Sequence, residues 1–131
     1  MKTVDEKRRV QLDKAIAYFM GWRIDNSFPD KGKVWRKGNA VELDTTMKFS
    51  SDWNWLMEVQ EALVLVQDEV LPLGCKVQID YGHCQIFTAG ELDWEAPHKE
   101  PPISTLEAAY RCMGEFIESY NEKKRKLNAP Q

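Results

Sequence analysis

The chain has 131 residues, of which 43% are hydrophobic and 30% charged, and its formal net charge is −3 at pH 7. That length suits one ordinary domain able to bury its own core, and the composition excludes disordered and fibrous classes. The mild acidity gives no global attraction to nucleic acid or to anionic lipid. Uninterrupted apolar runs such as Ala62 to Val66 are far short of the roughly 20 residues needed to span a bilayer. The opening Met1-Lys-Thr-Val-Asp-Glu-Lys-Arg-Arg-Val10 has no apolar stretch after its charges, so it does not read as a secretory signal. The expectation is a cytoplasmic protein with no membrane partner. An odd set of cysteines, Cys75, Cys84 and Cys112, fits buried thiols better than a disulfide framework.

In chain order, Thr3 and Glu6 fit a capping box. Leu12, Ile16, Phe19 and Met20 recur at helical spacing before Gly21, which predicts a helix over about 4–20 that stops at the glycine. Residues 22–48 are rich in turn chemistry and predict short strands at Val34 to Arg36 and Ala40 to Leu43 around Gly38-Asn39. The next stretch, Phe49 to Val70, looks like the helix around which the rest is organised. Ser51 and Asp52 supply a cap and a first-turn carboxylate. Trp53, Leu56, Met57, Leu63, Val64 and Val70 form one stripe, and Trp55, Val59, Ala62 and Val66 a second. The predicted helix spans about 52–70. A helix apolar on two sides is buried between layers, so a second stripe left uncovered would mark a binding surface.

Pro72-Leu-Gly74 then makes a turn, and Cys75, Val77, Ile79 and Tyr81 alternate with polar residues, as on a strand with one face inward. A two-residue turn of type II′ at Gly82-His83 would set Tyr81 opposite Cys84, Ile79 opposite Ile86 and Val77 opposite Thr88, a hairpin over about 75–88. Residues 89–102, with Pro97, Pro101 and Pro102, read as a connector that carries Trp94. Ser104 and Glu107 form a second capping box, and Leu106, Ala109, Tyr110, Met113, Ile117 and Tyr120 a single stripe, predicting a helix over about 105–124 and a tail after it. Together these elements predict one α+β domain over 1–131, an α-β-α sandwich of three helices around a small antiparallel sheet.

Three segments carry a family resemblance: Ala15-Ile-Ala-Tyr-Phe-Met-Gly-Trp22, Ser50-Ser-Asp-Trp-Asn-Trp-Leu-Met57, and Leu106-Glu-Ala-Ala-Tyr110 with Glu115-Phe-Ile-Glu-Ser-Tyr-Asn121. They resemble the phage ABA-sandwich domain family, small phage- and prophage-type proteins, over roughly Thr3 to Asn121. The resemblance implies helices packed around a small antiparallel sheet. It implies no activity, cofactor or catalytic residue.

Candidate chemistry is sparse. Asp80, His83 and Cys84 meet around the hairpin tip, and a base beside a thiol can make a nucleophile. Neighbours on a strand point to opposite faces, however, and Cys84 falls on the apolar face, where a cysteine acts as a small hydrophobe. The three cysteines with His83 and His98 have no zinc-ligand spacing. Nor does the chain hold a dinucleotide fingerprint, phosphate loop or nucleophile elbow. The expectation is therefore no catalysis, no cofactor and no metal. What stands out is a basic cluster around an aromatic, Lys31, Lys33, Trp35, Arg36 and Lys37, and a surplus of tryptophan that includes Trp53, Trp55 and Trp94. These residues are the candidate interaction surface. A protein partner, including a second copy of the chain, is the favoured expectation; single-stranded nucleic acid or RNA, stacking on Trp35, is the alternative.

Overall fold

The computed structural model describes residues 4–27, 34–43, 46–88, 91–95 and 104–128. Three helices, α1 (Val4–Phe19), α2 (Trp53–Val64) and α3 (Thr105–Asn128), accompany strands β1 (Arg23–Asp25), β2 (Val34–Lys37), β3 (Ala40–Leu43), β4 (Cys75–Asp80), β5 (His83–Thr88) and β6 (Glu91–Glu95). The strands form two antiparallel sheets, β1-β2-β3 and β4-β5-β6. This is the expected α+β class, with two sheets in place of one. Lys31, Lys33, Phe28 and His98, and the Thr3 half of the first capping box, lie outside the described residues.

The end of α1 follows from Gly21. Its φ of +97° is one that residues with a Cβ adopt rarely. There the Trp22 amide reaches back to the Ala17 carbonyl at 2.9 Å and the Gly21 amide to Tyr18 at 3.2 Å, the paired bonds of a Schellman stop. The turn drives Trp22 into the core and brings Arg23 back toward the helix end. On α2 the cap is Asp52 itself rather than Ser51: its carboxylate accepts from the Asn54 amide at 2.8 Å. The helix ends at Val64, six residues before the expected Val70. In place of another turn of helix, the Asp68 carboxylate accepts from the amides of Val70 and Leu71, both at 2.9 Å. A side chain that satisfies its own loop competes with the helix ladder.

The hairpin lies where alternation places it, but its register differs. Asp80 pairs with His83, Ile79 with Cys84 and Val77 with Ile86 around a Tyr81-Gly82 turn. Gly82 takes φ +69° at the second turn position, whereas a type II′ turn needs its glycine first. Each partner moves by two residues, an even number, so the same apolar side chains stay on the same face. The connector is partly strand: Glu91–Glu95 pairs with β5, Trp94 opposite Ile86.

The organising helix is α3, not α2. It buries Ala108, Ala109, Tyr110, Cys112, Met113, Gly114, Phe116 and Ile117, against Leu56, Val59 and Leu63 on α2. It packs on β5 of one sheet and on α1. Arg9 pairs with Glu107 at 3.0 Å, Tyr110 donates to Asp13 at 2.8 Å and Asn121 to the Ala15 carbonyl at 3.0 Å. Because these contacts ascend together, α1 and α3 run side by side in the same direction. Burial pushes the Tyr110 hydroxyl above its ordinary range, reinforced by Asp13, so it stays a proton donor.

The two helices meet closely at Gly114, where a Cβ would lie 3.2 Å from Leu12 Cδ2 and 3.4 Å from Ile16 Cδ1. Glycine inside a helix costs about 1 kcal/mol relative to alanine, and here its absent side chain makes room for α1. Gly114→Leu is expected to lose about 1–2 kcal/mol in urea unfolding, since overpacking outweighs the propensity gain.

Candidate functional site

A cleft of about 1180 Å³ opens between the last turns of α3, the end of α1 and the end of α2. Ala15, Phe19, Ala62 and Val66 supply apolar lining; Tyr18, Arg23, Tyr120, Asn121, Lys124 and Arg125 are among the residues around them. The lining is partly buried at Ala15, Phe19 and Val66, which pack against the core, and Tyr18 is 53% exposed. The Phe19 and Tyr120 rings meet edge to face at 5.7 Å. Thus the second stripe of α2 divides. Val59 is fully buried, and Trp55 is covered by Trp22 and Phe49, whose ring centroids lie 6.4 and 5.1 Å away. Ala62 and Val66 face the cleft.

Most charges on the cleft wall already have opposite partners. Arg8 grips Glu118 through two bonds of 2.9 Å, and that hydrogen bonding raises the Arg8 pKa further. Arg125 holds Glu122, and Lys124 lies 3.4 Å from Asp68 and 3.6 Å from Glu69. Burial pushes the Tyr120 hydroxyl above its ordinary range, helped by the bond it donates to Asp68. Arg23 differs. Its guanidinium lies 4.0 Å from the centroid of the Tyr18 ring, and Nη1 alone donates to the carbonyls of Tyr18 and Trp22, at 2.9 and 2.7 Å. Among the described residues no carboxylate lies within ion-pair distance of it.

The residues singled out from sequence do not gather at one place. Trp35 is 5% exposed and stands on the middle strand of its sheet, opposite Ile24 and Glu42. Arg36 is paired with Asp25 at 2.7 Å; Ser27 and Arg36 hold the Asp25 carboxyl at about 2. Lys37 is exposed and lines another, smaller cleft with Met20, Trp22, Phe49, Asp52 and Trp55. Trp53 is 39% exposed at the start of α2. Trp94 lies on β6, with its side chain outside the described residues. Lys31 and Lys33 are outside them altogether.

At the hairpin tip Asp80 and His83 are paired, while Cys84 is fully buried among apolar neighbours. All three cysteines are reduced thiols. Among the described residues no group of three or more His, Cys, Asp or Glu is placed to hold a metal ion, and no helix is long and apolar enough to cross a membrane. Sequence reasoning missed Tyr18 and Arg23. The available signal was an aromatic and an arginine flanking a helix-stopping glycine, which brings both to the same helix end. No family model, curated protein or solved structure matches the chain.

Proposed function

We propose that this chain is a non-catalytic accessory protein of phage or mobile-element type that acts by binding another protein, and that the cleft between α1, α2 and α3 is where it does so. The phage-type assignment rests on the ABA-sandwich resemblance. The observation that carries the binding reading is the open half of the α2 stripe: Ala62 and Val66 lie in a concave surface beside Phe19 and the exposed Tyr18. Concave surfaces with an apolar lining and a few convergent polar groups are preferred binding sites. Apolar patches with a polar rim mark interaction surfaces.

Single-stranded nucleic acid has weaker support. A stacking platform needs an accessible ring face, and Trp35, on the same strand as Arg36 and Lys37, is buried.

Size-exclusion chromatography with light scattering, and capture from host lysate, test the reading when wild type and Ala62→Arg are compared. Wild type is expected to retain a defined partner or to self-associate, and the arginine, placed in the cleft lining, to abolish this with an unchanged circular dichroism spectrum. A strictly monomeric wild type that captures nothing would count heavily against it.

A further inference from the structure

Arg23 is held in a fixed position on the wall of the cleft. Its position is set by three contacts: the face of Tyr18 at 4.0 Å, and two backbone carbonyls that both use Nη1. An arginine fork carries five N–H donors, and the edge formed by Nε and Nη2 matches the two oxygens of a carboxylate. Among the described residues no bond uses that edge of Arg23. Holding the side chain in place beforehand removes part of the ordering cost that a flexible surface arginine would meet on binding.

The surroundings select the kind of partner. Glu118, Glu122 and Lys124 are each engaged by an opposite charge, whereas Arg23 has no ion-pair partner among the described residues, which leaves its pairing to a bound molecule. Phe19, Ala62 and Val66 provide the apolar surface beside it. Asn121 to Asn128 form the last turns of α3, a rail about 12 Å long at the rise of an α-helix. An apolar trough beside a helical rail suits an amphipathic helix laid into a groove.

We propose that the cleft receives an amphipathic helix of a partner protein that carries a carboxylate beside its apolar face, the carboxylate pairing with the Nε and Nη2 edge of Arg23. This rests on the reading of the cleft as a protein-binding site and adds the charge and shape of what enters it.

Fluorescence anisotropy with labelled synthetic peptides tests it. The probe is a helical peptide with leucines at i, i+3, i+4 and i+7 flanked by glutamates; its counterpart has the same leucines flanked by glutamines. The glutamate peptide is expected to bind wild type about tenfold more tightly or better, a factor equal to about 1.4 kcal/mol. Arg23→Gln removes that preference, weakening the glutamate peptide far more than the glutamine peptide. Arg23→Lys, which keeps the charge and loses the fork, removes most of it. Ala62→Arg blocks both peptides.

Equal affinity of both peptides for wild type, with both blocked by Ala62→Arg, overturns the acidic partner and leaves the cleft a protein-binding site. An equal loss for both peptides in Arg23→Gln also overturns it, since Arg23 would then act only through the fold. If neither peptide binds, both readings fall. Oligo(dT) bound through Arg23, or a dimer of wild type dispersed by Ala62→Arg, would reassign the cleft to nucleic acid or to a second copy, and either overturns the proposal.

Discussion

Trp35→Ala is expected to destabilise the protein by about 3–5 kcal/mol, the usual cost of emptying a large buried aromatic site. The ring is 5% exposed and belongs to the main core cluster with Leu12, Ile16, Ala17 and Met47. A small void bounded by Val10, Ala17, Trp35 and Met47 already borders it, so deletion would enlarge a gap between α1 and the β1-β2-β3 sheet. Much of the stability of an ordinary domain is at stake, since 5–15 kcal/mol is typical. Urea unfolding followed by circular dichroism measures the loss. Trp35→Phe, which keeps an aromatic ring in the site, should lose markedly less. The pair also separates structure from recognition. A nucleic-acid platform would lose binding in Trp35→Ala while that variant remained folded and keep much of it in Trp35→Phe, whereas a core residue makes any loss follow the unfolded fraction.

The elements whose signals are local were legible in the sequence. Gly21 ends α1 because only a residue without a Cβ adopts its positive φ readily. Ser104 accepts from the Glu107 amide at 3.0 Å and opens α3, and alternation locates β4 and β5. Where the outcome depends on competition between local signals, the reading slipped. Apolar residues up to Val66 and Val70 look like more helix, but the Asp68 side chain takes up the amides that would continue it. Alternation sets the face of a hairpin and is blind to a two-residue change of partner, so the position of Gly82 in its turn decided the register.

The centre of the fold was hidden for a related reason. Gly114 is small, and a small residue on a helix looks unremarkable until another element is known to lie against it. Here α1 does. The cleft is less legible still, because its lining comes from residues 15–23, 62–66 and 118–128. No pattern within any one segment shows that Arg23 is held on Tyr18, or that the far end of the α2 stripe is uncovered.

Asp68→Ala is expected to cost about 2–3 kcal/mol near neutral pH and to release residues 65–74 from α3. The carboxylate accepts from the Val70 and Leu71 amides and from the Tyr120 hydroxyl, and lies 3.4 Å from Lys124 Nζ. Hydrogen bonds to a charged group contribute about 1.5–3 kcal/mol each when shielded. Water replaces part of that here and the Lys124 contact is screened, so the sum is far below the gross total. Partial burial pushes the carboxyl up, but Tyr120, the two amides and Lys124 more than offset this and hold it at about 2. An unfolded aspartate titrates near 3.9. The folded value is therefore depressed, and the stabilisation is complete above about pH 5 and disappears as pH falls toward 2. Urea unfolding at about pH 7 and about pH 3 should show the gap between wild type and Asp68→Ala narrowing at the lower pH, with Asp68→Asn as the uncharged control. Limited proteolysis should cut Asp68→Ala within residues 65–74 before the rest of the chain unfolds. A gap that stayed constant with pH would assign the loss to packing alone. Because Val66 and Lys124 both border the cleft, the same substitution is expected to weaken any peptide bound there, which ties the acid sensitivity of the loop to that of binding.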